Sequence, residues 1–222
     1  MDVEERRHFV AARTGPVQLA DGTELVLRPV VPDDKALFRA AFERLSPLSR
    51  YRRFLSPLPR LNPALLAYLT DVDHRLHAAW VAVVAEEAGP AAVGVARAIR
   101  LDDPRGAEVA ITVIDHYQRR GIGRLLLATL VLEAVEQGVI RFVGLVLADN
   151  DPMRAVLRRA GARLYPEEVG TLRFEMDVPA AAGDLKDCPL YHVLRSLARG
   201  EAALSRQELG WRPPLPHTRA AS

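Results

Sequence analysis

Cysteine is nearly absent: Cys188 is the only one in 222 residues, so no intramolecular disulfide can form and no Cys/His cluster has zinc-ligand spacing. A reducing, cytoplasmic setting fits that scarcity. Lysine is almost as rare, with only Lys35 and Lys186 among 30 basic residues, so self-modification on lysine has few sites. There is no apolar run approaching the roughly 18 residues that a membrane helix needs. The first residues, MDVEERRHF, also lack the basic and apolar regions of a signal peptide. Strong net charge is missing too. A formal charge of +2 does not by itself draw the chain to nucleic acid or a membrane.

What the chain has is apolar content, 49% of residues, enough for a substantial core. TELVLRPV (residues 23–30) alternates at period two and reads as a strand, and Pro32-Asp33-Asp34 follows as a helix start. Leu37, Phe38, Ala41, Phe42 and Leu45 recur at helical spacing, and Ser46-Pro47 and Asn62-Pro63 restart helices, which predicts two or three short helices up to about Leu69. AAWVAVVAEE and AVGVARAIR, joined through Gly89-Pro90, predict a hairpin, and EVAITVI (108–114) adds a third strand.

A glycine-bearing loop, QRRGIGR (118–124), comes next and leads into an apolar helix that Gly138 closes. IRFVGLVLAD then reads as a strand covered on both faces. Strand, helix and strand make a βαβ unit. Asn150-Asp151-Pro152 starts a short helix ending at Gly161, and ARLYPEE with TLRFEMDV closes as a strand pair. From Pro179 the composition turns linker-like, with a predicted helix over Leu190 to Leu204 and a proline-rich tail ending GWRPPLPHTRAAS.

A loop between a strand and a helix presents backbone N–H groups that have no intrahelical partners, and the helix dipole adds positive potential. Gly121 and Gly123 let a guest approach the backbone, and Arg119, Arg120 and Arg124 supply charge suited to phosphate. The guest is expected to be a pyrophosphate. A Walker A loop would need a lysine here and has none; a dinucleotide fingerprint would need glycine where Leu126 stands. The plain alternative for Gly121 and Gly123 is a tight turn, and for Asn150 a helix cap before Pro152.

QRRGIG resembles the Gln/Arg-x-x-Gly-x-Gly/Ala pattern of the GCN5-related N-acetyltransferases, the GNAT family, and NDPMRAVLRRAGARL looks like that family's asparagine-containing helix. RLSPLSRYRRF, LNPALLAYLTDVD and AAWVAVV are further similar to the catalytic module of bacterial Pat-type protein lysine acetyltransferases. The resemblance covers about Thr23 to Val178. It implies an α/β GNAT fold, a mixed and mostly antiparallel sheet with a βαβ acetyl-CoA-binding unit flanked by helices. Residues 1–22 then precede the domain and residues 179–222 follow it.

The resemblance also assigns roles. Ile111, Thr112 and Val113 would hold the pantetheine arm of acetyl-CoA. Gln118, Arg119, Arg120, Gly121, Ile122, Gly123 and Arg124 would hold the pyrophosphate, and Asn150 the pantetheine again. Glu108 would act as general base, with Asp102 and Asp103 as substitutes. Where many members carry an acidic tyrosine this chain has Leu157, which leaves Tyr117 and Tyr165 as weaker choices. The expected co-substrate is acetyl-CoA, with no metal, since His74 and His77 lack a convergent third ligand.

The expected acceptor is a protein lysine. A small-molecule amine and a non-catalytic acyl-CoA-binding module are the alternatives. Neither nucleic acid nor membrane is expected as a partner; Arg50-Tyr51-Arg52-Arg53 reads as a solvated helix face near the acceptor side. Monomer and homodimer both stay open.

Overall fold

In the computed structural model, residues 2–178 are described. Lys186, Cys188, the helix predicted over Leu190 to Leu204 and the PPLP segment lie outside them. Helix α1 (Val3–Ala12) starts at a capping box formed by Asp2 and Glu5 and leads to β1 (Gly15–Gln18) and β2 (Glu24–Pro29). Helices α2 (Lys35–Glu43), α3 (Pro47–Phe54) and α4 (Pro63–Thr70) follow. Ser46 and Asn62 cap α3 and α4 at their N-termini, and a proline opens each, as the sequence predicts.

The hairpin β3 (His77–Glu86) and β4 (Gly89–Arg100) precedes β5 (Gly106–Val113), the long helix α5 (Ile122–Glu136) and β6 (Arg141–Leu147). Helix α6 (Asp151–Arg159) and strands β7 (Arg163–Pro166) and β8 (Thr171–Asp177) complete the described chain. One sheet holds all eight strands in the order β1-β2-β3-β4-β5-β6-β8-β7. Its pairings are antiparallel except β5 with β6. β1 therefore joins the sheet from within the stretch expected to precede the domain.

Partners across the ladders share a face of the sheet. The rows His77–Ile99–Glu108, Ala79–Arg97–Ala110 and Val81–Val95–Thr112 lie on one side. There Phe38 of α2 and Leu66 and Leu69 of α4 build a core with Val30, Ala79 and Val81. Trp80, Ala107, Val109 and Phe142 face the other side, against α5 and Leu157 of α6. At 25 cal/mol per Å² each fully buried leucine of α5 contributes about 1.5–3 kcal/mol; Leu125, Leu126, Leu127 and Leu130 are all at most 1% exposed. This anchors the helix whose first turn forms the glycine loop.

β6 departs from the expectation of cover on both faces. Phe142, Gly144 and Val146 are buried, whereas Val143 is half-buried and Leu145 is 44% exposed. The reason is lateral: α2 packs on β4 and α3 on β5, one or two strands short of β6.

Candidate active site

β5 and β6 part company early. Their parallel pairing covers only Gly106–Arg141, Ala107–Phe142 and Glu108–Val143. At the next position Gly144 lies so close to β5 that a Cβ would sit 2.7 Å from the Val109 carbonyl oxygen and from the Phe174 ring. Beyond it the strands diverge, β5 toward the glycine loop and β6 toward α6. A wedge between parallel strands, with a helix N-terminus at each strand's C-terminal end, is where open α/β sheets accept ligands.

The backbone edge of that wedge follows from hydrogen-bond alternation. The Ile114 N–H donates to Val93 O at 3.0 Å, so Ile114, Thr112 and Ala110 direct their backbone groups to β4. Ile111 and Val113 then point theirs into the wedge. The Val113 carbonyl accepts from Gln118 Nε2 at 3.0 Å. Of the strand trio, Ile111 and Val113 thus offer the edge to a guest, while Thr112 contributes its side chain on the α2–α4 face.

At the end of this edge the loop takes a shape that local chemistry explains. Arg119 has φ +62° and Gly121 φ +97°, and left-handed residues alternating with others turn successive N–H groups to one side. Among the described residues, the N–H groups of Arg119, Arg120, Gly121, Ile122, Gly123 and Arg124 donate to no protein acceptor. The first bond of α5 is Leu125 N–H to Gly121 O at 3.0 Å. A Cβ at Gly121 would meet nothing within 4 Å, and one at Gly123 only Val113 Cγ2 at 3.9 Å, so both glycines border open space. Arg120 sits over the Tyr117 ring at 4.9 Å and 3.8 Å from Asp21, while Arg119 and Arg124 form no ion pair among the described residues.

Across the wedge, Asn150 caps α6, its Oδ1 accepting from Met153 N–H at 3.4 Å. This is the helix-cap role, and it leaves the amide nitrogen free to donate. Glu108 is exposed and occupies the last β5–β6 pair, on the face shared with Arg97 and Thr112. Val113 lies five residues on, on the order of 17 Å along the strand. Asp103 is committed to the turn before β5, where it accepts from Arg105 N–H. Leu157 is buried in the core. Tyr117 donates its hydroxyl to Glu86 at 3.1 Å, and burial together with that carboxylate pushes its pKa up.

Several contributors escaped the sequence reading. Asp115 accepts from Ser46 N–H (2.9 Å), Ser46 Oγ (2.7 Å) and Ser49 Oγ (2.9 Å), while Ser49 Oγ accepts from Gln118 Nε2 at 3.3 Å. Burial pushes the Asp115 carboxyl up, but these hydrogen bonds outweigh it and leave it below the ordinary value. Arg52 donates to Asp149 O at 3.2 Å. Helix α3 thereby grips both lips of the wedge. The RYRR segment is not a solvated face: Arg50 donates to the carbonyls of Leu45, Pro59 and Glu43 and covers the Phe42 ring at 4.4 Å. The visible signal was Ser46-Pro47 as a helix cap, which does not reveal a partner 69 residues away.

Known proteins resemble the chain in sequence and in fold. A sequence model of the Acetyltransferase (GNAT) family matches residues 41–162. Acetyltransferase Pat of Mycolicibacterium smegmatis is 40% identical over 165 residues, covering 74% of this chain and 49% of Pat. The chain thus spans about half of that relative's length. Acetyltransferase PA5475 of Pseudomonas aeruginosa is 33% identical over 136 residues, 61% of this chain and 73% of the relative. The crystal structure of the GNAT domain of S. lividans PAT superposes with a TM-score of 0.67 at 30% identity, covering 74% of this chain and 96% of that one.

Proposed function

Since the chain belongs to the GNAT acetyltransferase family, we propose that it transfers an acetyl group from acetyl-CoA to a primary amine, with a protein lysine as acceptor. The observation that carries this reading is the β5 edge: the backbone groups of Ile111 and the N–H of Val113, whose carbonyl is held by Gln118, face the wedge and run into the unpaired N–H groups of Arg119 to Arg124. An extended amide-bearing arm can pair with the first, and a pyrophosphate is matched by the second, where the α5 dipole and three arginines add positive potential. Asn150 can donate to the arm from the opposite lip.

Attack on a thioester needs a neutral amine, yet a lysine of pKa about 10.4 is neutral in only about one part in a few thousand at pH 7. Glu108 takes the proton, directly or through water. As the amine nitrogen bonds to the acetyl carbon, the carbon–sulfur bond breaks and the electron pair leaves on sulfur. Leu157 offers no proton to that thiolate, and Tyr117 is held by Glu86, so water supplies it.

The test is incubation of the chain and its Glu108→Gln form with radiolabelled acetyl-CoA and a bacterial lysate. Loss of a positioned base should slow labelling of protein by on the order of 10²–10⁴-fold while acetyl-CoA binding persists. Transfer that survives Glu108→Gln removes Glu108 as base. Label confined to small molecules moves the acceptor to a small amine, and binding without any transfer favours a non-catalytic module.

A further inference from the structure

Under α2, α3 and α4, against the face of β4 and β5 that carries Thr112, lies a cavity of about 60 Å³. At about 10–15 Å³ for each water, that is room for a group of a few heavy atoms. Phe38, Phe42, Phe54 and Leu69 make much of its wall apolar, but Arg53, Arg97 and Thr112 also line it. The cavity begins at the residue between Ile111 and Val113, next to the edge that would take the acyl-CoA arm.

Arg97 is 3% exposed and has no carboxylate within ion-pair distance among the described residues. Its Nη1 lies 2.8 Å from His77 Nε2, its Nη2 donates to Leu69 O at 3.2 Å, and its Nε is buried without an acceptor. Thr112 Oγ1 is buried without a partner as well. Half-buried Arg53, on α3, makes no hydrogen bond or ion pair among the described residues; its guanidinium lies 4.9 Å from its neighbour's ring, Phe54. Burial, and then the positive charge of Arg53, lowers the Arg97 pKa to about 9. His77 is no counter-ion: burial and Arg97 lower its pKa to about 4, so it stands neutral at pH 7.

Buried cations are ordinarily paired, because desolvation is costly unless an opposite charge offsets it. Tyr68, and after it Glu108, act on Arg53 at a distance without forming an ion pair. The Leu69 carbonyl, at the C-terminal end of α4, accounts for one arm of Arg97 as a helix cap. It leaves Nε, Arg53 and the Thr112 hydroxyl unexplained. A carboxylate would satisfy all of these at once, with two guanidinium groups and one hydroxyl as donors.

We propose that Arg53, Arg97 and Thr112 form a carboxylate subsite of the transfer cleft. It takes the free carboxylate of a short dicarboxylic acyl group or of an acidic residue beside the acceptor amine. The subsite rests on the acyl-CoA reading of the β5 edge.

Calorimetry on the whole chain separates the two sources. One series titrates acetyl-, butyryl- and succinyl-CoA; the other titrates lysine peptides with a neighbouring Glu or Gln into the CoA-bound chain. The carboxylate member of one series should bind at least about tenfold tighter than its neutral counterpart, as charge-assisted hydrogen bonds imply. Arg53→Gln and Thr112→Val should each erase most of that preference, with the thermal transition as the folding control. Neutral members binding equally well in both series, or a preference that survives both substitutions, overturns the subsite. Failure of all three CoA thioesters to bind would instead sink the acyl-CoA reading, and the subsite with it, whereas equal binding within both series sinks the subsite alone.

Discussion

Glu133 lies in the core, on the buried side of α5, with 8% of its surface exposed. Its Oε2 accepts from Trp80 Nε1 at 2.6 Å and its Oε1 from Gln137 Nε2 at 3.2 Å. Burial raises the carboxyl from 4.5 to about 7, against the lowering by the Trp80 hydrogen bond and by Arg13. Because the folded-state pKa is above the unfolded one, the native state holds the proton more tightly between the two values. The resulting stabilisation is greatest at low pH and is lost as the pH rises through that window. From pH 5 to pH 8 the loss is on the order of 2–3 kcal/mol, since each tenfold difference in proton affinity between the folded and unfolded chains is worth about 1.4 kcal/mol.

Glu133→Gln keeps an acceptor for Trp80 and removes the titration. Urea unfolding of both forms at pH 5 and pH 8 should show the variant gaining on the order of 2–3 kcal/mol relative to the parent at the higher pH. In thermal unfolding that is on the order of 5–10 °C for a chain of this size. A stability difference between the two forms that is the same at both pH values would refute the buried-carboxyl argument.

Gly144→Ala and Gly123→Ala should behave oppositely. The first forces a methyl against the Val109 carbonyl and the Phe174 ring, and should cost about 1–3 kcal/mol in denaturant unfolding. The second meets open space and sits in a helix, so stability should hold or rise by up to about 1 kcal/mol while acetyl-CoA binding by calorimetry weakens. Asp115→Asn should raise the KM for acetyl-CoA, because it loosens Ser46 and Ser49 and, through Ser49, Gln118. The hydrogen bonds hold the Asp115 pKa below its ordinary value, so its stabilising contribution is present above that value and lost as the pH falls through the folded-state pKa. Unfolding below about pH 4 should therefore differ less between pH values in the variant than in the parent.

What could be read in advance was local. The helix starts at Ser46-Pro47 and Asn62-Pro63 and the loop before α5 each depend on a few adjacent residues, and each appears where its chemistry puts it. The hairpin turns just before Gly89-Pro90, at residues 87–88, and Gly89 and Pro90 already pair with Glu86 and Ala85. β1 was missed because GPVQ is too short for a period to register, and it is a strand only because β2 pairs with it. Arg97 sits in AVGVARAIR like the outward residue of an alternating strand. It is buried because α4 closes over it, and no pattern within β4 carries that information.

The sequence alone determined the periodicities, caps and glycines from which a sheet with a βαβ unit and a glycine loop ahead of α5 follows, since these rest on interactions within a few residues. Tertiary structure decided where β5 and β6 separate, which backbone groups stay unpaired, and that Asp115 joins α3 to the loop. It also gathered Arg53, Arg97 and Thr112 around one cavity. Those outcomes depend on groups tens of residues apart, whose energies exist only once the chain has folded to bring them together.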